Sequence, residues 1–183
     1  VDFGQMGMVT SSDGRRRKLW VLIVTLSCSR YQFVWPTFEQ TTAEVCAGLD
    51  AAWRFFDGVV KRLVPDNATS MVLRASPTEP ELNRAFREYA DARGFFVDPA
   101  RVQSPQDKAR VENQVPYVRE RWFAGETLPS ELRDIRRHAE TWCRDVAGAR
   151  THGTTRKVPR EVYLSDEKPC MLPAPTESYD LPH

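Results

Sequence analysis

The sequence predicts an α/β chain whose mixed sheet pairs an antiparallel three-strand meander with two further strands and carries helices on both faces. Three observations lead there. Two apolar-rich segments, Val1 to Val9 and Lys18 to Leu26, flank the turn-forming TSSDGRRR, and Tyr31 to Trp35 follows after a second short turn. The segment from Lys18 to Leu26 is nearly continuous in apolar residues, which implies a strand covered on both faces. Beyond it the apolar period changes from strand-like to helical and then alternates between the two, a pattern that wraps a sheet with helices.

The elements follow in order. Asp13-Gly14 supplies the first hairpin turn. Helix one starts after Thr41 or Thr42 as N-cap and runs to about Asp57, with Val45, Leu49, Ala52, Trp53 and Phe56 at helical spacing. Arg62 to Pro65 reads as a fourth strand ending at Asp66-Asn67. Glu79 to Arg93 reads as a second helix closed by Gly94, and Phe95 to Val97 as a fifth strand. Ser104 as N-cap and Pro105 at the first helical position open a third helix, in which Val111, Val115, Val118 and Trp122 face the core. A further helix spans about Ser130 to Cys143, with Leu132, Ile135, Ala139 and Trp142 inward, and after Gly148 the regular pattern fades. The five tryptophans, Trp20, Trp35, Trp53, Trp122 and Trp142, read as core aromatics.

Length and charge narrow the function classes. At 183 residues and 41% hydrophobic, the chain can build one main core with a short extension. A net charge of only +1 excludes a protein held on nucleic acid by bulk electrostatics. The charge is nevertheless uneven. Arg136 to Arg160 carries seven Arg/Lys against two acids, whereas Glu161 to His183 carries one Lys against five acids, as expected of an embedded DNA-contacting stretch before an acidic tail. Cys28, Cys46, Cys143 and Cys170 form no close pair, so neither a zinc site nor a disulfide framework is expected, and a reducing compartment suits them. No run approaches the ~20 apolar residues of a membrane span, so the expectation is a soluble, intracellular protein. The absence of Met at position 1 and the strand-like start read as a fragment of something larger.

Asp2, Asp66 and Glu112 carry the candidate chemistry. Each lies in a different local pattern: at the head of a strand, just past another, and on a helix. Carboxylates suit hard divalent cations, which take only one or two from the protein and keep several waters, so three acids from separate elements can bracket a pair of ions. Read singly, each has an ordinary structural explanation: a solvated terminal acid, a turn former, and a surface ion pair between Glu112 and Lys108 one helical turn away. On the functional reading, Lys108 and Arg110 bind phosphate beside the metals, and Arg150, His152, Arg156 and Lys157 approach DNA. Gly14-Arg-Arg-Arg-Lys18 reads as a charged hairpin turn.

Taken in order, VDFG at 1–4, SRYQFVW at 29–35, PDNAT at 65–69, ELNRAFREYADARGF at 81–95, DPAR at 98–101, KARVENQVPYVRERWF at 108–123, HGTT at 152–155 and VPREVY at 158–163 resemble the catalytic core of IstA-type insertion-sequence transposases. That family belongs to the DDE group with retroviral integrases. Separations of 64 residues between the aspartates and 46 from Asp66 to Glu112 suit it. Phe56-Asp57-Gly58-Val59-Val60 departs from its usual turn before the fourth strand.

The resemblance implies an RNase H-like fold with Asp2, Asp66 and Glu112 as catalytic and metal-binding residues. It further implies two Mg²⁺ or Mn²⁺ ions per site, hydrolysis at transposon ends and joining of the freed 3′-hydroxyl to target DNA. The implied partners are DNA, further copies of the chain and an AAA+ helper ATPase, in a prokaryotic cytoplasm beside the nucleoid. The implied organisation is a catalytic core over 1–127, an added helix over 128–148 and a basic-then-acidic connector over 149–183. The alternatives are a related nuclease without joining activity and a non-catalytic DNA-binding or assembly fragment.

Overall fold

The computed structural model describes residues 1–65, 71–74, 81–98 and 114–180. Asp66, Lys108, Arg110, Glu112 and the Ser104-Pro105 helix start therefore lie outside the described residues. The chain divides into two compact units, one formed from 1–2, 39–112 and 171–183, the other from 3–38 and 113–170.

The second unit contains the meander. Strands β1 (Asp2–Thr10), β2 (Arg16–Thr25) and β3 (Gln32–Thr37) lie in the order β1-β2-β3, and β2 pairs antiparallel with β3 from Trp20↔Thr37 to Thr25↔Gln32. Val21 and Ile23 on one side of β2, and Leu22 and Val24 on the other, are all buried, as the continuous apolar run requires.

The β1–β2 turn closes around Gly14, whose φ of 76° is open to glycine at no steric cost. Asp13 orders it, accepting from Ser11 Oγ at 2.5 Å, the Arg15 amide at 3.1 Å and Arg17 Nη2 at 2.9 Å. The Ser11 hydroxyl foremost, then the Arg15 amide, hold its carboxyl down to about 2 from 3.8. A depressed acid stabilises the fold above its unfolded pKa, and that contribution disappears as pH falls through the folded value. The turn should thus be intact above about pH 4 and lose this contribution toward pH 2. An NMR titration of Asp13 checks this, and Ser11→Ala should move its midpoint up toward 3.8.

Helical segments cover this sheet. Segment α3 (Gln114–Val118) continues as a π-helical turn over Arg119–Phe123. Helix α4 (Leu132–Trp142) continues likewise over Cys143–Ala147 and packs on β3, with Arg136 Nε donating to Pro36 O at 3.0 Å and its guanidinium 3.8 Å above the Trp35 ring. Trp122 and Trp142 are buried, whereas Trp20 and Trp35 are only half-buried. His138 accepts from Trp122 Nε1 at 3.0 Å. A segment from α5 (Pro159–Val162) through Cys170 is helical where the sequence pattern fades; Pro159 at its first turn is the available signal. Glu167 of that segment accepts from the amides of Cys28 and Ser29 in the β2–β3 turn.

The first unit is built on α1 (Thr42–Phe56). Thr41 caps it through the Glu44 amide, Asp57 ends it in the left-handed region, and Val45, Leu49, Ala52, Trp53 and Phe56 are buried, as the spacing predicts. Strands β4 (Arg62–Leu63) and β7 (Phe96–Val97) pair in parallel. Helix α2 (Arg84–Arg93) begins five residues later than expected, because Asn83 Oδ1 accepts the amides of Ala85 and Phe86 and so fixes the cap there. Glu81–Leu82 (β6) instead pairs antiparallel with Val72–Arg74 (β5), a pair the helical reading missed. The described residues thus form a three-stranded sheet in one unit and a parallel pair and an antiparallel pair in the other, rather than one five-stranded sheet.

A buried polar cluster joins α1 to α2. Arg93 donates to Asp50 through Nε (2.9 Å) and Nη2 (2.6 Å), Tyr89 Oη donates to Asp50 Oδ1 (2.8 Å), and the Tyr179 amide donates to Oδ2 (2.9 Å). Trp53 Nε1 donates to the Tyr89 hydroxyl at 3.0 Å. Burial, followed by the Asp50 charge, pushes the Tyr89 hydroxyl far up and the Cys46 thiol up to about 12.

Candidate active site

Asp2 stands at the start of β1, and the backbone there is anchored. Val1 N donates to Val64 O at 2.8 Å, which sets the first residues of the chain beside β4 and its continuation. On its other edge, β4 is held by β7: Lys61 O accepts from the Phe96 amide (3.0 Å) and Leu63 O from the Asp98 amide (2.9 Å). Carbonyls alternate in direction along an extended strand, so Lys61 and Leu63 address β7 while Val64 addresses Val1. The strand leading to Asp66 therefore runs between Val1 and β7. Arg62 and Asp98 add an ion pair at 3.4 Å beside the β4–β7 pairing.

Of the three candidate acids, the described residues contain Asp2, which is half-buried. Asp66 follows buried Pro65 in sequence, and Glu112 precedes α3 by two residues. Among the described residues, no three His, Cys, Asp or Glu side chains converge to hold a metal.

The candidate DNA-contacting residues in the second unit are differently placed. Arg156 and Lys157 are exposed. The Arg150 guanidinium lies 4.3 Å from the centre of the Tyr117 ring, a platform that no sequence interval indicates. His152 is only 5% exposed, and its Nδ1 faces the amides of Thr154 (3.3 Å) and Thr155 (3.4 Å). Its backbone exchanges bonds with Lys157 O and the Arg156 amide, so the imidazole organises the HGTT turn from within.

Sequence reasoning passed over Gly4 and Gly7 in β1. Glycine inside a strand often marks a close backbone approach, and that was the available signal. Val115 fills the space beside Gly4, and Phe123 the space beside Gly7.

Comparisons with known proteins give the family of the chain. The model for the integrase core domain matches residues 3–105, more than half of the chain; the matched stretch includes Asp66 and begins one residue after Asp2. A Mycobacterium tuberculosis protein provisionally named transposase Rv3428c is 33% identical over 99% of this chain, which covers 44% of that relative. A Sinorhizobium fredii protein provisionally named transposase y4uI is 29% identical over 96% of the chain, covering 34% of the relative. The transposase for insertion sequence element IS21 of Pseudomonas aeruginosa is 25% identical over 98% of the chain, covering 45% of it. The chain spans less than half the length of each of these relatives. With that match over residues 3–105, the chain belongs to the integrase core domain family.

Proposed function

We propose that this chain is the catalytic core of a DNA transposase that cuts the strand at transposon ends and joins the freed 3′-hydroxyl to target DNA. Family membership supports the class. The observation that supports the site is the Val1–Val64 hydrogen bond, which sets the residue before Asp2 beside the chain leading to Asp66. In this reading the strands form one five-stranded RNase H-like mixed sheet with helices on both faces. The catalytic core covers 1–127, the added helix 128–148 and the connector 149–183.

Asp2, Asp66 and Glu112 are the site residues, and their donor set, carboxylate oxygens alone, fits hard divalent ions such as Mg²⁺ or Mn²⁺. Two such ions, when bound, would supply charge stabilisation for the attacking and leaving oxygens at phosphorus. The chain's own work is to hold three carboxylates on separate elements at one place. Lys108 and Arg110 neutralise phosphate near them, and Arg150, Arg156 and Lys157 position the DNA backbone. His152 serves the same surface by shaping the turn that presents Arg156 and Lys157. The partners proposed are transposon-end and target DNA, an AAA+ helper ATPase and further copies of the chain. Among the described residues, no helix is long and apolar enough to cross a membrane. The proposed location is the prokaryotic cytoplasm, at the nucleoid.

The test uses a labelled duplex with a pre-cut 3′-hydroxyl end of the element, the full-length protein, and Mg²⁺ or Mn²⁺. The expected result is covalent transfer to a second DNA, abolished by EDTA. Cutting without any transfer would reduce the protein to a nuclease.

A further inference from the structure

Gly4 and Gly7 are placed where a side chain would collide with helix. A Cβ built on Gly4 would stand 2.5 Å from Val115 Cγ2, and one on Gly7 would stand 2.6 Å from Phe123 Cε1, both far inside van der Waals contact. Between these two approaches, Arg119 donates through Nε (3.1 Å) and Nη2 (2.5 Å) to Gln5 O. Val115, Arg119 and Phe123 recur every four residues and so share one helical face. The lengths also agree: three strand steps from Gly4 to Gly7 cover ~10 Å, and eight helical steps from Val115 to Phe123 cover ~12 Å. The helical segment therefore lies along β1, two side chains in glycine gaps and one bonded to the backbone between them.

We propose that Gly4 and Gly7 are positioning residues for the transposase reaction. Their missing side chains set how closely the segment 114–123 seats on β1, and with it, on the proposed site assignment, the reach of Asp2 and of the acid that precedes the segment in sequence, Glu112. Asp2 lies two residues before Gly4, and Glu112 three before Val115. The inference rests on the assignment of Asp2 and Glu112 to one site. In such a site, a displacement of about 1 Å can cost ~100-fold in rate without contact with substrate.

Gly4→Ala and Gly7→Ala in the full-length protein are the tests, each paired with a variant that restores space, Val115→Ala or Phe123→Leu. Mn²⁺ binding, read from the EPR signal of free ion, should weaken at least about tenfold, and end-joining turnover should fall by ~100-fold with little change in KM for DNA. Gly4→Ala/Val115→Ala should recover both. Wild-type Mn²⁺ binding and turnover in the two alanine variants would overturn the inference. So would a compensated double variant that melts like wild type yet stays inactive and metal-poor. Should the single variants not fold, Val115→Ile reads the same contact by overfilling it from the other side, with wild-type behaviour again overturning the proposal. Glu112→Gln runs alongside: if it binds Mn²⁺ and joins ends normally, the assigned acid site fails, whereas normal Gly4→Ala beside inactive Glu112→Gln sinks the positioning role alone.

Discussion

Asp50→Ala should destabilise the chain by about 3–5 kcal/mol, because it strands a charge and several donors in a buried site. The side chains of Asp50 and Arg93 are only 4% and 12% exposed, so the loss is not cushioned by water. Four donors converge on this carboxylate: two nitrogens of Arg93, the Tyr89 hydroxyl and the Tyr179 amide. Burial works against the Arg93 charge, but its bonds to Asp50 outweigh that and raise its pKa. For a chain of this size, the expected loss corresponds to a fall in melting temperature of roughly 10 °C or more.

The paired control is Asp50→Leu/Arg93→Met, which removes both charges and fills similar volume. It should be far closer to wild type, because a buried pair contributes little net stability while a broken one is costly. Urea unfolding of the three proteins decides the matter. If Asp50→Ala lost less than ~1 kcal/mol, Arg93 would have found water or another acceptor, and the cluster would not be the closed one described.

Glu112→Gln should remove cutting and joining together, by at least about 10³-fold or ~4 kcal/mol of transition-state stabilisation. Glutamine keeps the shape and helix preference of glutamate but offers a neutral oxygen in place of an anionic one. Binding of end DNA should change little, since phosphate contacts come from Lys and Arg. Gel shift and strand-transfer assays on the same preparation separate the two. Joining that survived in Glu112→Gln would mean a different third acid. Loss of DNA binding with loss of joining would point to a folding defect.

The meander, α1 with its Thr41 cap and the short strands at Arg62 and Phe96 were legible because each follows from local chemistry: turn residues, cap residues and apolar period; the parallel pairing of the last two came from the structure. The start of α2 was not, since Asn83 had to outcompete a helical pattern that extends back through Leu82. Nor was the helical segment after Val158, whose apolar residues are too few to set a period. For the site, the sequence identified three acids in order and the types of ion they suit. It could not show that Val1 bonds Val64, a pairing across 63 residues.

By itself the sequence determined the types of most elements, the family and the candidate acids, each legible from a short local pattern. Only the tertiary structure decided that Asp50 meets Arg93 from 43 positions away, that Arg150 rests on Tyr117, that His152 turns inward, and that Gly4 and Gly7 receive Val115 and Phe123. Apart from the His152 turn, whose partners are two to five residues away, these are pairings between distant segments. Their energy comes from burial and exclusion of water at contacts that exist only once the chain has folded.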